Sequence, residues 1–379
     1  MGPTAMTRRG FVTAIGAASG AALLDLPFSP RPAGASYSRG QSNDYIQLNS
    51  NENPYGPFPA ARAALAAATE AAGRYPDALE DEMRAAIAKL HGVAPEQVVL
   101  GCGSIDVLRM ADGAFLDAGR TVVVAEPTFE AVLAYNRVTR AKAIKVPLNA
   151  EFRHDLAKMA AACDAATGLV YVCNPNNPTG TIVTGDELAA FLARVPPAVT
   201  VVLDEAYHHF VEHPAYRSGF DLLAAHPNLV VLRTFSKIYG LAGMRLGYAV
   251  GARDRVEAIA RHASFSNANA AVLAAGLASL ADADGVALMR GRINAARSWL
   301  SDRLAAERRR FIPSEANFVM IDAGRDVAPL IAAFEARRIL VGRRFPSMPT
   351  WLRVSIGKPE EVRAFADALG ELVPARAAA

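Results

Sequence analysis

Lys237 is the side chain whose type and surroundings first suggest chemistry. The chain has only six lysines against thirty-four arginines. Lys237 lies in the segment TFSKIYGLAGMRLGY (234–248), beside Thr234 and Ser236 and eight residues before Arg245. A lysine amine can lose its proton and attack a carbonyl carbon, whereas a guanidinium stays protonated. Lys237 is therefore a candidate nucleophile in a chain that otherwise prefers arginine.

Acidic and amide side chains follow two other apolar runs. DEAY (204–207) ends a fully apolar run with Asp204 and Tyr207. An acid in that position rarely serves packing, so a cationic partner is expected nearby. NPNNPTG (174–180) is an Asn- and Pro-rich turn that constrains the amide of Asn177.

Two further segments suggest a cradle for a phosphate and a cover for a flat ring. GCGSID (101–106) is a Gly-bounded turn that runs into a helix from about Ser104, and a helix N-terminus offers backbone N–H groups to a phosphate. EPTFEA (126–131) places Phe129 just past an apolar run. Taken singly, the first is more often a plain tight turn and the second a core aromatic.

The elements that must position these residues alternate between short β-branched runs and Ala/Leu-rich helical stretches. The runs are 98–103, 121–127, 142–148, 168–175, 199–207, 229–236 and 245–251, with helices predicted over 104–117 and 185–195. This order predicts an α/β fold with a wound, mostly parallel sheet, in which ligands bind beyond the carboxyl ends of the strands. The five groups above then meet at one edge of one sheet.

The C-terminal part of the chain has a different pattern. A long helical stretch over about 268–310 precedes strand-like pieces at 317–321 and 351–357, which are separated by a helix around 326–338. The change predicts a second, smaller α+β domain.

The combined set matches what pyridoxal phosphate (PLP) requires. This cofactor needs a lysine for its aldehyde, an acid for its pyridinium nitrogen, donors for its phenolate oxygen, a phosphate cup and a surface for its ring. At this point the sequence resembles the class I/II aminotransferases of PLP fold type I, over roughly residues 45–370. Within them, LNSNENPYGP (48–57), RYPD (74–77) and the lysine segment are most like histidinol-phosphate aminotransferase and its relatives.

The resemblance implies a role for each site residue. Lys237 is the Schiff-base lysine and proton shuttle, Asp204 keeps the pyridine nitrogen protonated, and Tyr207 and Asn177 hydrogen-bond the phenolate oxygen. The residues implied to contact the cofactor's ring or phosphate are Phe129, Ser104, Ile105, Thr234, Ser236, Arg245 and, from the second subunit of a homodimer, Tyr75. Those implied to contact substrate are Arg353, Asn53, Asn177 and Arg343.

The substrate and the reaction type are less closely specified than the cofactor. Histidinol-phosphate aminotransferases usually carry a phosphate-binding arginine in a position that Gly342 occupies here, followed by Arg343 and Arg344. A broad or aromatic amino-acid aminotransferase is therefore the alternative substrate class. A PLP decarboxylase or racemase on the same fold, and a non-catalytic binding protein, are the further alternatives.

The N-terminus predicts export. Arg8 and Arg9 precede a short, Ala- and Gly-rich apolar run and a small-residue site at 33–35, as in a twin-arginine signal. A periplasmic location is expected, with a cytoplasmic one as the alternative. The predicted divisions are a signal peptide (1–35), an N-terminal arm packing on the small domain and the dimer partner (36–73), a large PLP-binding domain (74–265) and a small domain (266–379).

Charge and cysteine content exclude several other partners. A formal charge of +3 implies no large basic patch, so no nucleic-acid partner is expected. The three cysteines lack metal-type spacing, and YHHFVEH (207–213) is interpreted as a variable loop, so no metal site is expected. No run is long and apolar enough for stable membrane association.

Overall fold

The computed structural model describes residues 44–374, and the chain from Tyr45 onward forms one compact unit. The predicted signal (1–35), the start of the predicted arm (36–43) and residues 375–379 lie outside the described residues. The strands are β1 (Ile46–Leu48), β2 (Val98–Gly101), β3 (Thr121–Glu126), β4 (Lys142–Pro147), β5 (Thr167–Cys173), β6 (Thr200–Asp204), β7 (Leu229–Thr234), β8 (Gly247–Gly251), β9 (Phe311–Ile312), β10 (Phe318–Asp322), β11 (Ile339–Val341) and β12 (Trp351–Ser355). The α-helices are α1 (Pro59–Ala68), α2 (Asp77–His91), α3 (Ser104–Phe115), α4 (Ala131–Thr139), α5 (Leu156–Ala161), α6 (Gly185–Leu192), α7 (Arg253–Ala260), α8 (Ala270–Leu280), α9 (Ala283–Ala306), α10 (Ala328–Glu335) and α11 (Pro359–Leu372).

A seven-stranded sheet with the order β2-β8-β7-β6-β5-β3-β4 forms the centre of the unit. Strands β4, β3, β5, β6 and β7 pair in parallel, and β8 is antiparallel to both β2 and β7. The predicted wound, mostly parallel sheet is therefore confirmed. Because β2, β3, β5, β6 and β7 run in the same direction, their carboxyl ends meet at one edge.

Helices cover both faces of this sheet, which explains the continuous apolar runs. Every residue of β5 is buried. Leu169, Tyr171 and Cys173 pack in the layer that contains α3, α4 and α7, whereas Val170 and Val172 pack in the layer that contains α5 and α6. Tyr171 is thus the one hydroxyl-bearing side chain among these five, at the centre of an apolar layer.

Two smaller sheets involve the C-terminal part of the chain. Strands β12, β10 and β9 form an antiparallel sheet in which Met320 lies opposite Arg353. Strand β1 pairs in parallel with β11, so that Leu48 lies opposite Val341. The segment after β1 is thereby held close to the end of the chain. The domain boundaries at residues 73 and 265 stay predictions.

The predicted long helical stretch is divided into α8 and α9. The break occurs because the Asp282 side chain accepts a hydrogen bond from the Gly285 N–H at 2.8 Å and so starts a new helix. Among residues 44–374, no single helix is long and apolar enough to cross a membrane; α8 and α9 reach that length and composition only as a pair bent by 83°.

Candidate active site

A cavity of about 280 Å³ lies at the sheet edge where β5, β6 and β7 end. The sequence-predicted residues that line it are Lys237, Asp204, Tyr207, Ser104, Ile105, Phe129, Thr234, Ser236 and Arg245. Ser50, Glu52 and Cys173 line it as well. A larger cavity of about 440 Å³ elsewhere in the unit is lined by none of the predicted residues. The smaller cavity is therefore the candidate active site, because it contains the side chains with catalytic potential.

Lys237 follows β7 and presents its amine to this cavity. Its Nζ lies 3.5 Å from the Ser50 carbonyl oxygen and 5.5 Å from the centre of the Tyr207 ring. Burial, followed by the charge of Arg353, lowers the pKa of the Lys237 amine to about 8. The neutral amine is therefore well populated near pH 8, as a nucleophile or a general base requires.

Asp204 is a buried acid whose two oxygens each accept one hydrogen bond from the protein. Oδ2 accepts from the Tyr171 hydroxyl at 2.8 Å, and Oδ1 accepts from the Ala206 N–H at 3.0 Å. Burial raises the pKa of Asp204 to about 6, although these hydrogen bonds and the charge of Lys237 oppose the change. A carboxylate in this environment is stabilised by a cationic N–H in the cavity.

The Tyr207 hydroxyl has a proton to donate. It accepts hydrogen bonds from the Nδ2 atoms of Asn51 at 3.1 Å and Asn177 at 3.4 Å. Burial raises the pKa of Tyr207, so the hydroxyl stays protonated. Asn51 is fixed in turn, because its N–H donates to Ser355 Oγ at 2.8 Å. With two donors already directed at its oxygen, Tyr207 can offer its own proton to an oxygen in the cavity.

Arg353 is a buried cation without a carboxylate partner among residues 44–374. Nη1 donates to Asn177 Oδ1 at 2.7 Å and Nη2 to the Asn49 carbonyl at 2.9 Å, while the buried Nε has no hydrogen-bond partner in this part of the chain. Burial lowers the pKa of Arg353 to about 10, which leaves it charged at neutral pH. Such a group is suited to bind a small anion.

The opposite end of the cavity combines a helix N-terminus with an arginine. Arg245 Nη1 donates to Ser236 Oγ at 3.2 Å and to the Ala242 carbonyl at 2.8 Å. Gly103 precedes α3 with a φ of +82°, and a Cβ at that position would lie 2.1 Å from Arg245 Nη2. Glycine therefore lets the guanidinium lie over the first turn of α3, where no side chain caps the backbone N–H groups. The Arg245 guanidinium and the uncapped N–H groups of α3 are together suited to bind a phosphate.

These groups fit PLP. Asp204 would hold the ring nitrogen, Tyr207 the ring oxygen, and Arg245 with the start of α3 the phosphate. Phe129 lines the same cavity and would cover the ring. Lys237 lines it as well and would supply the amine for the cofactor's aldehyde.

Five predicted residues do not line the cavity. Asn177 and Arg353 adjoin it, because Asn177 contacts both the Tyr207 hydroxyl and Arg353. The other three are Tyr75, Asn53 and Arg343. Tyr75 is 85% exposed, as expected of a side chain assigned to a partner subunit. Asn53 donates from Nδ2 to the Ile238 carbonyl at 2.8 Å, which fixes the turn directly after Lys237. Arg343 pairs with Glu130 at 2.5 Å and lies over the Phe345 ring, with 4.3 Å between guanidinium carbon and ring centre.

Packing keeps position 342 free of a side chain. The Gly342 N–H donates to the Arg353 carbonyl at 2.8 Å, and a Cβ on Gly342 would lie 2.7 Å from that oxygen. An arginine at 342 would require the backbone of β12 to move. Arg343 is consequently the nearest arginine that this loop can offer.

Sequence reasoning missed two supporting residues. Tyr171 belongs to an apolar strand, and hydrophobic patterns treat a tyrosine as another apolar residue. Asn51 stands in the quoted segment LNSNENPYGP, and its φ of +54° marks a backbone geometry that asparagine tolerates. The sequence did contain one signal for Tyr171: it is the one residue with a hydroxyl in the otherwise apolar run LVYVC (169–173).

His208 and His209 of YHHFVEH belong to a packed segment, whereas His213 is exposed. Phe210 within it is buried, and its carbonyl accepts hydrogen bonds from Asn294 and Arg297. In the described part of the chain, no group of three or more His, Cys, Asp or Glu side chains is placed to hold a metal ion.

Residues 43–369 match the family of class I and II aminotransferases, and the chain belongs to that family. Histidinol-phosphate aminotransferase 2 of Pseudomonas aeruginosa is 40% identical over 336 residues, which cover 86% of this chain and 89% of the relative. An aromatic amino acid aminotransferase of Thermobifida fusca is 41% identical over 320 residues, covering 84% and 88%. The crystal structure of histidinol-phosphate aminotransferase from Sinorhizobium meliloti in complex with pyridoxal-5'-phosphate has a TM-score of 0.80 and 27% identity, covering 86% and 90%.

Family membership confirms the predictions made for the chain as a whole. The fold is that of the PLP fold type I aminotransferases, the protein is a histidinol-phosphate aminotransferase-like transaminase, and its cofactor is PLP. The roles of individual side chains, the homodimer and the export signal stay predictions.

Proposed function

We propose that this aminotransferase moves the amino group of histidinol phosphate, or of a closely similar amine, to a 2-oxo acid by a ping-pong mechanism. The observation that carries the proposal is the buried cation Arg353 next to the cavity. It donates a hydrogen bond to Asn177, and Asn177 in turn donates one to the Tyr207 hydroxyl. Relatives named histidinol-phosphate aminotransferase at 38–40% identity support this donor.

Asp204, Tyr207 and Lys237 would each have a separate role in the reaction. Bound PLP supplies an electron-withdrawing ring that stabilises negative charge at the substrate's Cα. Asp204 keeps the proton on the ring nitrogen, and Tyr207 donates to the ring oxygen. Lys237, as a neutral amine, would condense with the aldehyde of PLP with loss of water. After the substrate's amine had replaced it, the free Lys237 amine would take the proton from the substrate's Cα and deliver it to the former aldehyde carbon.

Arg353 gives the two substrates a common anchor. The 2-oxo acid carries a carboxylate on its reacting carbon, and histidinol phosphate carries its phosphate on a methylene attached to Cα. Both anions extend from the same side of the reacting carbon, so one guanidinium can bind them in turn. This alternation is what a ping-pong mechanism requires.

A donor screen tests the proposal. Purified protein (residues 36–379) is loaded with PLP and given histidinol phosphate, aromatic amino acids or aspartate, each with 2-oxoglutarate or pyruvate. We expect the largest kcat/KM with histidinol phosphate. Turnover of aromatic amino acids without turnover of histidinol phosphate would refute this donor and leave the aminotransferase assignment intact.

An aromatic amino-acid aminotransferase is the second candidate, and the Glu130–Arg343 pair favours it. Glu130 neutralises Arg343, which lies over the Phe345 ring as Arg353 does and is the second cation that a substrate's phosphate could reach. An aromatic amino acid, whose carboxylate needs only Arg353, leaves this pair in place, whereas a phosphate that also reaches Arg343 must compete with Glu130. Aromatic amino acid aminotransferases among the relatives, at 40–41% identity, support the same reading.

We also propose a homodimer in which Tyr75 reaches the cofactor phosphate of the partner subunit. Tyr75 is 85% exposed, so its side chain is accessible to a partner subunit, which supports this contact. Light scattering gives the mass in solution. Tyr75→Phe removes only the hydroxyl, and we expect weaker PLP retention from an unchanged dimer.

Export through the twin-arginine route is proposed from residues 1–35 alone. That route carries folded proteins, so PLP can be bound before transport. The test is fractionation of cells that produce the Arg8→Lys, Arg9→Lys double variant. Retention of this variant in the cytoplasm supports export, and an unchanged location refutes the signal.

A further inference from the structure

Tyr171 carries a buried hydroxyl between apolar neighbours on its strand, Val170 and Val172. It lies in the middle of β5, is fully buried, and packs in the layer formed by Val202, Leu232 and neighbouring apolar side chains. A buried hydroxyl without a partner is unfavourable, so it is retained in such a layer only with a hydrogen bond. The partner that the structure gives Tyr171 is Asp204.

The register of β5 and β6 directs this contact. Cys173 lies opposite Asp204 in the parallel pair, so Tyr171 is two residues below on the same face. Its ring extends along the strand, and the hydroxyl donates to Asp204 Oδ2 at 2.8 Å. The Ala206 N–H holds Oδ1 at 3.0 Å. With one donor on each oxygen, the carboxylate plane is fixed, and further lone pairs stay available toward the cavity.

Besides Tyr171, the Ala206 N–H and the charge of Lys237 favour the ionised form of Asp204, and Tyr171 is the first of these after burial. The neighbouring Glu205 is paired with Arg233 at 2.8 Å, so that arginine is committed elsewhere. The other titratable groups that face Asp204 are Lys237 in the cavity, Cys173 and Tyr207. Burial raises the pKa of Tyr171 well above its usual range, so its hydroxyl remains a donor at every working pH.

We propose that Tyr171 is a positioning residue that keeps Asp204 ionised and oriented toward the ring nitrogen of PLP. The proposal rests on the PLP site described above and goes beyond it, because Tyr171 touches neither cofactor nor substrate. This role explains how Asp204 can be both buried and ionised. Burial alone favours the protonated acid, and the Tyr171 hydroxyl opposes that change with a hydrogen bond to the charged form.

The experiment compares Tyr171→Phe with Tyr248→Phe. Phenylalanine at 171 keeps the ring volume and removes only the hydroxyl. Tyr248 is a matched control: it is buried in β8 of the same sheet, and its hydroxyl bonds His91 at 2.9 Å, away from Asp204. PLP dissociation constants are measured by absorbance titration of the cofactor-free proteins from pH 5.5 to 9.

Wild-type affinity for PLP should fall as the pH drops below about 6, because Asp204 then becomes protonated. In Tyr171→Phe we expect PLP binding about tenfold weaker at pH 7, with the fall beginning about one pH unit higher. Tyr248→Phe should follow the wild-type curve. In an Asp204→Asn background, Tyr171→Phe should have little further effect, since the two groups act as one unit.

An unchanged pH curve for Tyr171→Phe would overturn the proposal, as would an equal loss in the Asp204→Asn background. If Tyr171→Phe proves much less stable than Tyr248→Phe, 3-fluorotyrosine at position 171 replaces it. This stronger donor must move the fall in PLP affinity to lower pH, and an unmoved curve overturns the proposal. A wild-type protein that bound no PLP would instead refute the cofactor site itself.

Discussion

Asp204, which lines the cavity, and Arg343, in the loop between β11 and β12, are held in opposite ways. Asp204 is 3% exposed and accepts hydrogen bonds from Tyr171 and Ala206, on the strand and turn that meet at the sheet edge. Arg343 has a side chain 46% exposed, belongs to a loop between β11 and β12, and pairs with Glu130 from another part of the surface. Solvent screens the second contact and cannot reach the first.

We propose that the buried contact serves the chemistry common to all substrates and that the exposed one helps to select among them. A buried group that loses its partner is destabilised strongly, because no water can replace the lost hydrogen bond. An exposed ion pair contributes little to stability and can be exchanged for a ligand at small cost. Substitutions should therefore have large effects on the cofactor side and small, substrate-dependent effects on the Arg343 side.

The largest effect is expected from Lys237→Ala. The variant lacks the amine that attacks the aldehyde and moves the Cα proton, so we expect transamination to fall by about 10⁴-fold or more. The absorbance band of lysine-bound PLP should disappear as well. Lys158→Ala, in which an exposed lysine is removed, is the control and should keep both. Substantial turnover by Lys237→Ala would contradict the central assignment.

Arg353→Lys should have the next largest effect. Lysine keeps the charge but loses the fixed fork that contacts Asn177 and Asn49 and that we propose binds the substrate's anion, so we expect kcat/KM to fall by about 30- to 1000-fold. PLP binding should change little. The exposed change Arg261→Lys serves as control. Equal losses in PLP binding and in catalysis would place Arg353 on the cofactor side of the comparison instead.

The pH dependence of cofactor loading gives a smaller effect. Because burial lowers the pKa of the Lys237 amine to about 8, its neutral fraction rises as the pH increases through that value. The rate at which PLP becomes attached should increase by about tenfold between pH 7 and pH 9 and then level off. Stopped-flow absorbance measures this rate. A flat profile over that range would show that the amine is not the titrating nucleophile.

Glu130→Gln should have the smallest effect, and one that depends on the substrate. Removing the charge frees Arg343 for a substrate's phosphate or second carboxylate, so we expect KM for such substrates to fall by about threefold, an amount typical of exposed pairs. Neutral aromatic amino acids should be unaffected. Glu151→Gln changes another exposed glutamate and is the control. An equal effect on both substrate types would remove Arg343 from the substrate site.

The same contrast explains which contacts could be predicted from the sequence. Asp204 and Lys237 end apolar strands of one sheet, so the strand pattern alone places them together. The contact of Arg353 with Asn177 joins residues 176 positions apart, and that of Arg343 with Glu130 joins residues 213 apart. Local patterns contain no information on such pairs. Tyr171 was missed for a different reason, since its hydroxyl is visible as a functional group only when its partner is known.

The pairing of β1 with β11 has a consequence for the order in which the protein is made. Asn51 helps to hold Tyr207, yet its own N–H is fixed by Ser355, which follows it by 304 residues. The large sheet between residues 98 and 251 can assemble while the ribosome is still adding the rest. The wall formed by Ser50 and Asn51 must wait until the last strand has emerged. A prematurely terminated chain would therefore build most of the sheet and still lack one side of its cofactor site.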